Sequence, residues 1–481
     1  MKIRLALFSA AFVFVTAASA AELTFTPLKP GGVYAEGEQA GWTVTPGSDA
    51  VADAHYVYTV KTDQMQTVAS GSFDLAKGGF TISAKLDRPA MLYAVIDRAL
   101  PPRPSAAEAA QLNTGLKVLL AKKDPTLQAV FEKYPDYCIV AEPCQPGSQE
   151  TTPVAPGPEP EGHLAVLGAA VAPAEIEPSV PRPADFDAFW AGKLAALAKV
   201  PMNPHLTPVA TAVPGIKLYM VELDSLGSHV HGYLAVPAKQ GRFPAMVVYQ
   251  WAGVYPLIPQ ICADRAAEGW LCLDVDSHDM RPDEATAPKN YYELGNTSRE
   301  TSYFLPMYLR DTRALDWVRT LPHWNRKTVV ITGTSMGGQQ SLVTAGLNPG
   351  KIDAVVVNEP SGGDFVAELH GRKSAYPNWA VQDPKVAETG PYFDTANFAS
   401  RITAPTLVAV GFIDKVCPPA SVLSATNRIT APKEIVPMTE SDHNNYTPDK
   451  QGAFLQRSEE IFATILHGGK FVPDAWFYSV K

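Results

Sequence analysis

The sequence predicts an α/β fold with a mainly parallel sheet, preceded by a β-sandwich domain, and three observations carry that prediction. From about Ile176 onward, short β-branched apolar runs alternate with longer stretches of helical period, as in strand–helix–strand units. Before that point, short alternating runs are separated by Gly, Pro and Asp at the spacing of an all-β sandwich. Residues 333–337 then read Gly-Thr-Ser-Met-Gly, between a strand pattern and a helical one.

Taken in order, residues 1–20 have a basic start (Lys2, Arg4), an apolar run over 5–17 and a small-residue end, Ala18-Ser19-Ala20. This is the layout of a cleavable secretory signal peptide and predicts a periplasmic or secreted product. No cysteine follows the cleavage point and no other apolar stretch is long enough to span a bilayer, so no membrane anchor is expected. Residues 21–175 form the expected N-terminal domain, with Trp42-Thr43-Val44-Thr45, the run 55–60 and the run 91–96 as strands of an immunoglobulin-like sandwich. An insertion over about 101–162 interrupts it. Ser105-Ala106-Ala107-Glu108 is a capping box for a helix reaching about Ala121, a second helix starts at Pro125, and the Pro-rich stretch 153–162 reads as a linker. The run 164–171 returns as the last strand of the sandwich.

Residues 176–481 form the expected second domain. The runs 216–223 and 230–236 read as a hairpin, and 245–249, 270–275, 328–332, 352–357 and 406–410 as core strands. Tyr308, Thr312, Leu315 and Val318 fall on one helical face. A hydrophobic share of 46% lets each domain bury its own core. Loss of Lys2 and Arg4 moves the formal charge from -9 to -11, which argues against nucleic-acid binding. Of five cysteines, Cys138 and Cys144 enclose a short loop and form the expected disulfide. Cys262 and Cys272 are either bridged or buried, and Cys417 reads as a small buried hydrophobe.

The pentapeptide around Ser335 has the G-x-S-x-G form of a nucleophile elbow, in which small residues let strand and helix approach while the serine Oγ stays exposed. A serine hydroxyl needs a histidine to take its proton and a carboxylate to orient that histidine. In α/β-hydrolases these follow in the order Ser, Asp or Glu, His. Three histidines lie beyond Ser335. His370 precedes any suitable acid and His467 sits at a helix C-terminus, which leaves His443 in a polar loop as the base. Asp414, a few residues past the strand 406–410, is the expected acid. Asp442 is its rival, but a neighbour in sequence seldom reaches the histidine Nδ1. The oxyanion hole is expected from the backbone N–H of Met336 and that of Ala252, with Trp251 as the alternative.

The second domain resembles the acetyl xylan esterase and cephalosporin C deacetylase family of α/β-hydrolases across most of residues 180–450. The similarity rests on Pro183-Ala184-Asp185-Phe186-Asp187-Ala188-Phe189-Trp190, Asp311-Thr312-Arg313-Ala314-Leu315-Asp316, the elbow with Gly338, and Gly411-Phe412-Ile413-Asp414-Lys415-Val416-Cys417-Pro418-Pro419. In that family the last segment carries the acid, which favours Asp414 over Asp442. Three places depart from the family pattern. Gln250-Trp251-Ala252 replaces His-Gly-Tyr, Ser277-His278-Asp279 replaces Arg-Gly-Gln, and Asn444 instead of Glu follows His443.

The expected function is hydrolysis of a small acyl ester, acetyl on a carbohydrate such as xylan or xylo-oligosaccharides, with no cofactor. Trp251, Trp379 and His278 are candidate substrate-binding residues. The competing readings are an exported serine peptidase-like hydrolase and a non-catalytic carbohydrate-binding or scaffold protein. His229 and His231 share a strand face, but with no carboxylate or cysteine at ligand spacing they read as a structural pair, so no metal is expected. Oligomeric state is left open.

Overall fold

The structure is a computed structural model and describes residues 22–51, 54–75, 79–99, 163–444 and 447–474. The expected signal peptide, the insertion helices, the Pro-rich linker and the Cys138/Cys144 pair lie outside the described residues.

The N-terminal region is built from β1 (Leu23–Pro27), β2 (Val33–Tyr34), β3 (Gln39–Pro46), β4 (His55–Thr62), β5 (Gln66–Asp74), β6 (Phe80–Lys85), β7 (Ala90–Arg98) and β8 (Ala165–Val171). They form a three-stranded sheet, β1-β3-β6, and a five-stranded sheet, β2-β8-β7-β4-β5. Trp42, Val44 and Ile82 of the first sheet share one core with Tyr56, Val60, Leu92 and Ala169 of the second. Period-2 alternation aims one face of each strand inward, which is why the run beginning at Trp42 was legible. β8 pairs antiparallel with β7 from Ala90↔Val171 to Ile96↔Ala165, so the chain leaves after β7 and returns as its direct neighbour.

The second region opens with α1 (Phe186–Leu197) and contains β9 (His205–Val209), β10 (Ile216–Ser225), β11 (Ser228–Pro237), β12 (Phe243–Tyr249), α2 (Pro259–Glu268), β13 (Leu271–Val275), α3 (Phe304–Val318), β14 (Trp324–Thr334), α4 (Met336–Leu347), β15 (Ala354–Asn358), β16 (Thr406–Gly411), α5 (Pro419–Asn427), β17 (Lys433–Met438) and α6 (Pro448–Leu466). Its nine strands run β17-β16-β15-β14-β12-β13-β11-β10-β9. β12 to β17 are mutually parallel and β9 to β11 antiparallel. Alternate residues serve opposite faces. Val247, Ile331, Val357 and Val408 pack under α3, α4 and α5, while Met246, Val330, Val356 and Leu407 pack under α2 and α6. Both faces being covered explains the nearly continuous apolar strands. β12 is flanked by β13 on one side and β14 on the other, a topological switch point, and the carboxyl ends of the strands there are where such sheets hold ligands.

Two strands go beyond the sequence reading. β9 and β17 occupy the two edges of the sheet and carry Pro208 and Pro437. Proline removes a ladder donor and is tolerated at an edge, so it hides a strand from pattern reading without preventing it. Cys262 and Cys272 are buried free thiols, and the Cys262 Sγ donates to the carbonyls of Cys272 and Tyr233 at 2.8 and 3.3 Å. No helix among the described residues is long and apolar enough to cross a membrane.

The two regions are packed into each other. Met91 and Ala170 of the sandwich belong to the core under α3 to α5. A Cβ on Gly168 would lie 2.6 Å from Cβ of Phe412, so only glycine permits that approach. At the β4–β5 turn, Asp63 is 2% exposed and its carboxylate accepts from the Met91 N–H at 2.9 Å, while its carbonyl accepts from the Lys373 N–H at 3.0 Å. The adjacent Gln64 donates from Nε2 to the carbonyl oxygen of Asp414 at 2.5 Å.

Candidate active site

Ser335 sits between β14 and α4 with φ 57° and ψ -121°, a backbone conformation costly for a residue with a Cβ. Two glycines permit the turn. A Cβ on Gly333 would lie 2.4 Å from the carbonyl carbon of Gly337, and one on Gly337 would lie 2.1 Å from the Tyr249 carbonyl oxygen. The second contact presses the loop after β12 against the start of α4. Met336 is the first residue of α4, where a backbone N–H has no partner within its helix. Ala252 lies in the loop beside it, whereas the Gly253 N–H already donates to the Tyr291 hydroxyl at 3.2 Å.

His443, in the loop after β17, lies with Nε2 3.0 Å from the Ser335 Oγ and Nδ1 2.7 Å from the Asp414 Oδ2. Asp414 follows β16 and is fully buried. Its Oδ1 accepts from the backbone N–H groups of Val416 and Cys417 at 2.7 and 2.8 Å. Asp442 instead accepts from the N–H of Asn444 at 3.2 Å. Cys417 is buried beside the carboxylates. Burial, then the charges of Asp414 and Glu359, push its thiol well above the usual range.

Sequence reading missed Glu359. It follows β15 by one residue, is fully buried at φ 43°, and places Oε2 3.6 Å from the His443 Nδ1. Ser441 Oγ and Gln451 Nε2 donate to its carboxylate at 2.6 and 3.0 Å. Burial, with the charge of Asp414 second, raises its pKa to about 7. For His443, burial acts to lower the pKa, but the hydrogen bond to Asp414 and the charges of Asp414 and Glu359 outweigh it and hold it above the ordinary value. The signal that finds Asp414, a carboxylate just past a parallel strand, applies equally to Glu359.

The opposite wall comes from the carboxyl ends of β12 and β13. Ser277 donates its N–H to the Gln250 Oε1 at 2.9 Å, and the Gln340 Nε2 donates to the Gln250 carbonyl at 2.8 Å. His278 is buried, with Nε2 2.9 Å from the Gly253 carbonyl and Nδ1 2.9 Å from the Tyr303 hydroxyl. The carbonyl can only accept, so Nε2 carries the proton. Burial lowers the His278 pKa to about 4 and keeps the ring neutral. Trp251 is 43% exposed and stacks on Tyr255, centroids 5.4 Å apart. Trp379 is elsewhere: it is 2% exposed, packs on Phe304, Phe365 and Phe393, and donates Nε1 to the Tyr292 carbonyl at 2.6 Å. Its expected place against substrate is corrected to one in the aromatic core, because those three rings occupy its faces and edge.

The acetyl xylan esterase family model matches residues 174–458, more than half of the chain. The chain belongs to the acetyl xylan esterase family. It is 32% identical over 298 residues to the acetyl esterase Axe7A of Xylanibacter ruminicola, covering 57% of this chain and 68% of that protein. Among solved structures, an acetyl xylan esterase from Paenibacillus sp. R4 aligns with TM-score 0.53 at 25% identity, over 60% of this chain and 98% of that one. Acetyl xylan esterase 1 from Thermoanaerobacterium sp. aligns with TM-score 0.52 at 22% identity, over 60% and 96%, a likeness of fold. The esterase is therefore a carboxylic ester hydrolase of a family acting on acetylated carbohydrate, with an α/β-hydrolase sheet and an N-terminal β-rich region lying outside the matched residues. Family membership displaces the peptidase and non-catalytic readings.

Proposed function

We propose that this esterase removes acetyl groups from xylan-type oligosaccharides outside the cytoplasm, by way of an acyl-enzyme on Ser335. The observation that carries the reading is the single imidazole bridging Ser335 and Asp414 at 3.0 and 2.7 Å. His443 takes the serine proton as Oγ attacks the acetyl carbonyl, then returns it to the leaving sugar hydroxyl. Water deacylates the enzyme by the same route. The N–H groups of Met336 and Ala252 receive the developing oxyanion, each contributing on the order of 10²-fold. Asp414 fixes the imidazole tautomer. Glu359 adds a second negative charge facing the imidazolium, its carboxylate held by the Ser441 and Gln451 donors.

The half-exposed Trp251 supports a carbohydrate leaving group, since an aromatic face beside the cleft gives a sugar ring a stacking surface. Residues 1–20 support export. Ser335→Ala, with its fold checked by circular dichroism, is expected to lower turnover of p-nitrophenyl acetate by ~10⁴-fold or more. Undiminished turnover would remove the mechanism. Acetylated xylo-oligosaccharides are expected to exceed acetylated polymer, cephalosporin C and longer acyl esters in kcat/KM, and preference for a long acyl chain would refute the acetyl assignment.

A further inference from the structure

The two histidines of β11 stand in different company in three dimensions than along the chain. His229 and His231 are two residues apart on one strand and so share a face. β11 pairs antiparallel with β13 from Gly232↔Val275, and the Asp276 N–H continues that ladder to the His231 carbonyl at 2.9 Å. The chain beyond β13 then turns back over the shared face and delivers Asp279. Its Oδ1 lies 3.2 Å from the His229 Nδ1 and 3.3 Å from the His231 Nε2. The premise that no carboxylate accompanies the pair therefore fails once the chain is folded.

We propose that His229, His231 and Asp279 form a site for a divalent transition metal ion, zinc being the first choice. One atom from each residue lies within 4.8 Å of the other two. Bonds of about 2.0–2.2 Å to a central ion set neighbouring donor atoms roughly 3 to 3.5 Å apart, and both histidine-to-Asp279 distances already fall in that range, while the two imidazoles have to swing together around the ion. Two imidazoles and one carboxylate are a donor set for zinc, nickel or copper, whereas magnesium and calcium favour oxygen alone. The far nitrogen of His231 faces the Glu222 carboxylate at 3.9 Å, a negative charge on the side away from the ion but beyond hydrogen-bond reach. His231 is nearly buried while the His229 and Asp279 side chains are 50% and 38% exposed, which leaves solvent to complete the coordination. The Arg310 guanidinium acts on Asp279 from the protein side and opposes a second positive charge, so binding in the micromolar range is expected rather than the tight closure of an all-protein zinc site. The ion would clip β11 to the segment that carries His278, and through the His278 bond to Gly253 it would stiffen the loop holding Trp251 and Ala252.

The test uses tag-free, chelator-treated protein. Zinc chloride titrated by calorimetry is expected to give one saturable site and to raise Tm, and cobalt is expected to produce visible absorption bands of a nitrogen-ligated ion. His229→Gln and Asp279→Asn should each weaken binding tenfold or more and abolish the Tm shift. His229→Gln should leave metal-free turnover of p-nitrophenyl acetate unchanged, which shows that the variant folds. Absence of saturable binding, or binding that survives both substitutions, overturns the site and reduces the cluster to a surface ion pair. Because binding is read without turnover, this outcome is independent of whether Ser335 is the nucleophile.

Discussion

The two walls of the cleft are built on different principles. On the β14–β17 side, Ser335, Asp414 and His443 are set by turns just past parallel strands, and the strained backbone of Ser335 depends on Gly333 and Gly337, a few residues away at most. On the β12–β13 side, Gln250, Ser277 and Gln340 hold one another from three separate elements. The two longest departures from the family pattern, Gln250-Trp251-Ala252 and Ser277-His278-Asp279, meet on that second wall. They are bonded to each other through Ser277 to Gln250, and His278 bonds Gly253, the residue that follows the first. They therefore read as one exchanged surface instead of two unrelated changes. The proposed mechanism assigns reaction chemistry to the first wall and substrate preference to the second, so substitutions on either side should separate them.

After Ser335→Ala, the largest effect is expected at Asp414, the proposed acid. Asp414→Asn should cost roughly 10³- to 10⁴-fold in kcat on p-nitrophenyl acetate, while Asp442→Asn stays within a few-fold. The reverse ranking would reassign the acid. Next comes Glu359. Its charge contributes to the raised His443 pKa, and the base works only when neutral, so activity appears as pH rises through that pKa. Glu359→Gln removes the charge, lets the His443 pKa fall, and should move the acid limb of kcat/KM to lower pH. The plateau should drop about tenfold, equivalent to ~1.4 kcal/mol of lost imidazolium stabilisation. A limb that stays in place would show that Glu359 serves packing alone. The smallest effect belongs to the other wall. Trp251→Ala should raise KM for acetylated xylo-oligosaccharides roughly three- to tenfold, the worth of one stacking contact, and leave p-nitrophenyl acetate nearly untouched. Equal losses on both substrates would place Trp251 in the chemistry.

What was legible in the sequence follows the same division. Gly-Thr-Ser-Met-Gly and the Asp414 segment are local signals, and period-2 runs reveal strands wherever side chains alternate between filled faces. β9 and β17 escaped because edge positions accept Pro208 and Pro437. Glu359 follows a strand legible in the sequence, 352–357, just as Asp414 follows 406–410, but Asn358-Glu359-Pro360 resembles any polar turn and its position beside His443 shows only once β15 lies next to β16. Trp379 misled for the converse reason, since a tryptophan in a loop carries no mark of whether other rings will cover it. Asp279 joined His229 and His231 from 48 positions beyond His231, a separation that spacing rules do not reach.

The glutamine at the β4–β5 turn ties the N-terminal region to the proposed active site. Gln64 fastens the peptide group of Asp414, and Met91 and Ala170 finish the hydrophobic layer under the second region's helices. Excising the sandwich would thus bare apolar surface and free the loop that carries Asp414 at one stroke.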